Sequence, residues 1–466
     1  MNLSRSTGGA FTALLLAVLS FSLLQTFVVP ALPALREDLG TTTTAVSWTI
    51  SAFLVSSSVG TVVLGRLGDL FGRRRLMLVS LAILGLGSLL AALSGSVGVL
   101  VAARAVQGLG AGTFPLAFGL VREIFPRERV PVVIGTISAV FGIGFGLGLV
   151  LPGPLIDAFG WPSLFWVSLG LVAVAAAAVV AFVRVPEGSR PGRVDWGGAG
   201  LLSVALVALL LAVSQVRAWG AVPVTVLVVL AVAAFGAFLL LETRLAARAA
   251  SPLLSLEVLR RRPVAAANLT ALVIGFGMYG AFTLVPQLVE TPPAAGYGFG
   301  ASTARAGLYL LPMAVTMLVA GPLAGRLGPR LGWTTTLAGS CAIGAVGFVV
   351  LAVGRDAGWA IATGTGVIGV GIGFAFSALA NVVVAAVGPH ETGEATGVNT
   401  IVRTIGGAFG AQVAAAVVTS RTLPGTDVPD PRGYTVAFAI SAAALVVAAF
   451  AALLGRPARA DRTVRR

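Results

Sequence analysis

The sequence predicts an all-α polytopic membrane protein of fourteen spans, and three observations carry that prediction. Hydrophobic residues make up 57% of the 466-residue chain, charged residues 10%, and mean hydropathy is +0.99. A soluble domain carries about a quarter charged residues, so this chain has too few to cover an aqueous surface. Apolar runs of about twenty residues, the length that crosses a bilayer as a helix, recur between short polar breaks. The arginines gather in alternate breaks, as the loops on one face of a membrane do.

In chain order the runs place helices at roughly 11–35, 45–65, 76–95, 98–121, 131–154, 163–184, 198–216, 222–242, 264–288, 304–324, 333–354, 358–387, 394–419 and 434–454. The first follows Arg5 as a secretory signal would. Its apolar stretch outruns a signal core and many spans follow, so it reads as the first helix. The run 358–387 is long for one crossing, and 394–419 carries an arginine. With the N-terminus in the cytoplasm, 23 of the 31 arginines fall on the cytoplasmic side and six on the other; Arg104 and Arg403 lie within spans. This asymmetry predicts that both termini are cytoplasmic, with anionic lipid headgroups as partners of the basic loops. The net charge of +14 therefore reports topology and requires no nucleic acid.

Composition also removes most catalytic chemistry. The chain has no lysine, one histidine (His390) and one cysteine (Cys341). A P-loop lysine, a Schiff base, a His/Cys metal cage and an intrachain disulfide are thereby excluded, and no cofactor is expected. Cys341, in an apolar run, reads as a packing residue, and His390, in a short loop, reads as solvated.

The segment Gly65-Arg66-Leu67-Gly68-Asp69-Leu70-Phe71-Gly72 recurs 260 residues later as Gly325-Arg326-Leu327-Gly328-Pro329-Arg330-Leu331-Gly332. Gly144 and Gly148 follow Gly65 by 79 and 83 residues; Gly406 and Gly410 follow Gly325 by 81 and 85. Both pairs have the spacing that lets helices approach closely. The offsets predict a six-helix bundle at 1–196, two inserted helices and a cytoplasmic linker at 197–262, and a second six-helix bundle with a short basic tail at 263–466. Repeats packed around a midplane cavity typify secondary transporters.

These motifs resemble the major facilitator superfamily, in its fourteen-helix drug:proton antiporter branch, over essentially the whole chain. Gly65, Gly68, Asp69, Gly72, Arg73 and Arg74 resemble its signature loop between helices two and three. Leu100, Arg104, Gln107, Gly108 and Gly110 resemble its arginine-containing second motif, and Gly142, Gly144, Gly146 and Gly148 its antiporter motif. Asp195, Trp196 and Gly198, with Asn399, Thr400, Arg403, Gly406 and Gly407, resemble that branch in particular. Three positions depart. Leu149 stands where a proline normally follows the last glycine, and Pro329 replaces Asp69 in the second copy. Leu24 occupies the position, nine residues before Pro33, where the branch carries an acid in helix one. The resemblance implies a conformational latch around Asp69, and a role for Arg104 in coupling or proton handling.

Physical chemistry frames the candidates. A lone acid among arginines, flanked by glycines, can accept backbone N–H groups and pair with a guanidinium; the other reading of that loop is topology alone. Arg104 lies about 9 Å into helix four at ~1.5 Å per residue. It either faces a partner or cavity, with Gln107 one turn on sharing its face, or snorkels to the headgroups. Arginine stays charged, so a proton carrier must be an acid. Glu290, after Gln287 at the outer end of helix nine, is the candidate if desolvated; a rim carboxylate, solvated or paired with Arg36 or Arg305, is the alternative. Gln25 and Gln287 are cavity candidates, with helix–helix packing the equal alternative for Gln25. Arg403 is a cavity charge or a partner of Glu391 and Glu394, and the pairing is the preferred reading. Residues 296–300, Gly-Tyr-Gly-Phe-Gly, read as a turn packed by Tyr297 and Phe299.

The expected protein is a transporter, not an enzyme. It exports small amphipathic compounds, cationic or neutral, drug or endogenous product, by alternating access in exchange for protons. It acts as a monomer in a bacterial plasma membrane. A metabolite uptake symporter is the alternative within transport. Outside transport stand an integral-membrane enzyme and a receptor, but no constellation of acid, base and nucleophile is visible.

Overall fold

A bilayer leaves the backbone no hydrogen-bond partner but itself, so each apolar run must close its own bonds as a helix. The computed structural model describes residues 3–185, 195–216, 219–247, 256–388, 391–424, 426 and 428–454. His390 and the arginines of the tail lie outside them. Among the described residues, 14 helices are long and apolar enough to cross a membrane, one for each run.

In the first half, α1 (Leu3–Thr26) passes at Phe27 into α2 (Val28–Asp38), where Pro30 and Pro33 lack N–H donors. α3 (Thr43–Phe71) and α4 (Arg73–Ala92) follow. The fourth span is broken at residues 110–112 into α5 (Val97–Leu109) and α6 (Thr113–Ile124). α7 (Val130–Val150) runs to a short α8 (Pro152–Phe159), so the proline absent at 149 has a counterpart three residues on. α9 (Pro162–Phe182) completes the half. The insert is α10 (Trp196–Ser214), α11 (Ala221–Ala247) and a short α12 (Leu256–Arg260). Asp195 caps α10 by accepting the Gly198 N–H at 2.9 Å. The second half is α13 (Arg262–Glu290), α14 (Thr303–Leu331), α15 (Trp333–Gly354), α16 (Gly358–Ala386), α17 (Thr392–Thr419) and α18 (Pro431–Leu454). The long run at 358–387 is thus one unbroken helix.

The sequence repeat is a repeat in space. Gly72 (φ 98°) joins α3 to α4 and Gly332 (φ 85°) joins α14 to α15, a conformation open to glycine. Gly144 and Gly148 of α7 lie against Ser22 and Thr26 of α1; Gly406 and Gly410 of α17 lie against the backbone at Leu272 and Phe276 of α13. Between the halves, α7 crosses α14 with Gly135 on Gly321, and α3 crosses α17 with Gly65 on Gly393. The two six-helix bundles meet along these crossings. The insert leans on α3 and α17 through α10, while α11 turns Val222, Val229 and Val232 outward, 61–75% exposed, as a lipid-facing surface. The loop at 296–300 is packed as expected: Tyr297 lies tilted against Tyr434, and Phe299 stacks on Tyr309.

Candidate functional site

At the arginine-rich end, ionic contacts tie the bundles together. Asp69, in the last turn of α3, has a side chain 1% exposed. Its Oδ1 accepts from Arg73 Nη2 at 2.6 Å and Nε at 3.0 Å, and its Oδ2 accepts the Glu394 N–H at 3.2 Å. Arg73 also reaches Glu123 at 2.6 Å and the Gly119 carbonyl at 3.3 Å. The Glu394 carboxylate meets Arg66 at 3.4 Å. Arg122 donates to Thr392 Oγ1 at 2.6 Å and to the Val387 and Gly388 carbonyls, both at 3.2 Å. A carboxylate thus caps the N-terminus of α17 and a guanidinium the C-terminal end of α16, each the sign the helix dipole favours. Gly65 and Gly68 let α3 approach Gly393 and Leu116. Arg74 is not brought into this cluster: it donates to the Val180 carbonyl of α9 at 3.2 Å, within its own bundle. Sequence reading missed Arg122, Glu123 and the Arg66–Glu394 pair. An acid at the third residue of a span was the available signal for Glu394.

Arg104 is 0% exposed, which removes the snorkelling reading. It donates to the carbonyls of Leu24 at 2.9 Å and Thr49 at 3.2 Å and to Gln107 Oε1 at 2.7 Å, and stands 4.1 Å from the Phe53 ring centroid. Gln107 passes the contact to Ser88 Oγ at 2.9 Å. One guanidinium therefore joins α1, α3, α4 and α5, and the main-chain carbonyl of Leu24 receives it where an acid side chain is absent.

Between the bundles, near the middle of the spans, lies a constricted polar cavity of about 20 Å3, room for only one or two waters. Gln25, Ser57, Ser58 and Thr61 line it from one bundle, and Tyr279, Thr400, Arg403 and Thr404 from the other. Gln25 Nε2 donates across the gap to Tyr279 Oη at 2.7 Å. Arg403 is 5% exposed, with its guanidinium 4.3, 5.6 and 5.7 Å from the ring centroids of Phe376, Phe141 and Phe114. The preferred pairing with Glu391 and Glu394 does not form, because Glu394 meets Arg66 and Glu391 meets Arg261 at 3.5 Å. Nine residues of helix, about 13 Å at ~1.5 Å per residue, separate Arg403 from Glu394. Cation–π contacts contribute about 0.5–2 kcal/mol each, whereas burying an ion costs several kcal/mol, so the rings offset only part of that cost.

Glu290 and Gln287 sit at the far end of α13, half-buried and exposed respectively, and neither lines this cavity. A second cavity of about 520 Å3, almost wholly apolar, lies between the insert and the α3–α17 crossing. It shares Ile401 with the polar one.

Two repeated helical bundles around a buried polar cavity, closed at one end, define a transporter fold. The chain belongs to the major facilitator superfamily, whose model matches residues 14–411. It is 34% identical over 446 residues to an uncharacterized MFS-type transporter of Mycobacterium tuberculosis, an alignment covering 90% of this chain and 62% of that protein. It is 32% identical over 325 residues to the tetracenomycin C resistance and export protein of Streptomyces glaucescens, covering 69% and 58%. The chain thus spans about three fifths of the length of these curated relatives. The crystal structure of the human organic anion transporter MFSD10 (TETRAN), 17% identical, shares the fold with a TM-score of 0.65 over 97% of this chain and all of that one. The family and these relatives are transporters, not enzymes.

Proposed function

We propose that this protein is a secondary transporter that exports small amphipathic compounds across a bacterial plasma membrane, by alternating access and in exchange for protons. The arginine-rich end and both termini then face the cytoplasm. The observation that carries the reading is the central cavity, lined by both bundles and shut at one end by the Arg66–Glu394 ion pair and the hydrogen bonds of Asp69 and Arg122 to α17, which can part without disturbing either bundle. Rocking the bundles apart at that end would open the cavity to the cytoplasm. The export direction is supported by the relative described as a resistance and export protein.

Proton exchange needs an acid whose charge state bears on the bundle contact. Asp69 and Glu394 lie in that contact, whereas Glu290 lies at the opposite end of α13. A proton on Asp69 weakens its hold on Arg73 and on the N-terminus of α17, and release of the proton restores it. The test uses proteoliposomes with an imposed pH gradient, a trapped pH dye, and tetracenomycin C with a panel of lipophilic dyes. The expected result is substrate-dependent proton movement that persists in Glu290→Gln and falls at least about tenfold, ~1.4 kcal/mol, in Asp69→Asn. Substrate movement without proton movement contradicts exchange, and loss of coupling in Glu290→Gln returns the carrier to the end of α13.

A further inference from the structure

Arg403 is the feature of the cavity that the transport reading leaves unused. It is a permanent charge, 5% exposed, at the middle of a membrane-spanning helix. Among the described residues no carboxylate pairs with its side chain; its neighbours are the faces of Phe376, Phe141 and Phe114 and the phenol of Tyr279. Ring faces attract the charge but do not engage five in-plane N–H donors. The other cation at this depth, Arg104, is held by neutral carbonyls and an amide, so no acid offsets it either. The hydroxyls of Ser57, Ser58, Thr61, Thr400 and Thr404 are tied to carbonyls of their own helices. The guanidinium is therefore the strongest donor facing the cavity, whose aromatic lining is Phe21, Phe141 and Tyr279.

We propose that this cavity, enlarged when the bundles part, selects anions, specifically aromatic compounds bearing a carboxylate or an ionised phenol, and that Arg403 supplies the counter-charge. The guanidinium fork matches a carboxylate, and the rings that line the cavity, Phe21, Phe141 and Tyr279, pack the body of the ligand. A cationic ligand would bring a like charge to Arg403 in a medium that screens it weakly. Anionic ligands depart from the expectation of cationic or neutral substrates. This inference rests on the central cavity being the substrate site, but it is tested by equilibrium binding, so the two can fail separately.

The experiment measures calorimetric binding to the full-length protein in lipid nanodiscs at neutral pH, using three probes on one ring system: anthraquinone-2-carboxylate, its neutral carboxamide and a cationic aminomethyl analogue. The carboxylate should bind at least about tenfold tighter than the amide, with the cation weakest; tenfold corresponds to ~1.4 kcal/mol. Arg403→Gln should erase the difference between carboxylate and amide, and Arg403→Lys should retain part of it. Equal binding of the three probes, preference for the cation, or no carboxylate binding up to its solubility overturns the proposal. So does an Arg403→Gln variant that weakens all three alike. If Arg403→Gln does not fold, the wild-type series and Arg403→Lys still decide the question. A charge preference in a protein that moves nothing in proteoliposomes would sink the transport reading and leave this one standing.

Discussion

Two arginines inside spans illustrate what one residue type can do in two settings. Arg104 meets three acceptors, so its removal breaks charge-assisted hydrogen bonds of about 1.5–3 kcal/mol each. Among the described residues Arg403 meets aromatic side chains and no acid, so its neutralisation relieves a buried charge. Arg104→Gln should lower the thermal unfolding midpoint of the detergent-solubilised protein by several degrees, while Arg403→Gln should leave it unchanged or higher. Tryptophan emission during heating reads both, and the reverse ranking would contradict the assignment. The depth of both residues was legible in the sequence. Their partners were not, because a carbonyl at Leu24 and a ring at Phe376 belong to other helices, and hydropathy says nothing about facing. The missing acid at Leu24 was legible too, but not that the main chain would take its place.

At the scale of helices, glycine spacing was a good guide to contact and a poor guide to partner. The four glycines at 142–148 split between two faces: Gly144 and Gly148 meet α1, while Gly142 and Gly146 meet α14. Only the repeat offsets linked the first pair to Gly406 and Gly410. A side chain at 406 would collide with the Leu272 carbonyl, its Cβ only 1.8 Å away, whereas one at 339 finds nothing within 4 Å. Gly406→Val should therefore destabilise the protein by about 1–3 kcal/mol or more through overpacking. Gly339→Ala should be neutral or stabilising by up to about 1 kcal/mol, because α15 gains helix propensity. Yield of monodisperse protein and its unfolding midpoint compare the two. All fourteen spans were visible as apolar runs, but the breaks at Phe27 and at 110–112 were not, since a twenty-residue window averages over a single turn.

For the whole molecule, the near-twofold repeat is broken where it matters. Both copies of the loop motif reach a helix of the other bundle, Gly65 meeting Gly393 and Gly325 meeting Pro131. Only the first carries an acid, and the polar contacts between the bundles gather around it, the Arg66–Glu394 ion pair among them. The sequence exposed that asymmetry as Asp69 against Pro329. It could not show that Asp69 would meet the start of α17, which lies more than 320 residues on. Transport by rocking requires the α3–α17 crossing to separate in every cycle. A Cβ built on Gly397 would lie 3.8 Å from the Cα of Val62 across that crossing, within reach of a disulfide and outside the ion-pair cluster. The most direct test introduces Val62→Cys and Gly397→Cys together in a Cys341→Ala background and follows transport before oxidation, after oxidation and after reduction. We predict that oxidation abolishes transport in the double variant alone and that reductant restores it. Complete disulfide formation with transport unchanged would show that the bundles need not part here, and would contradict alternating access about this crossing.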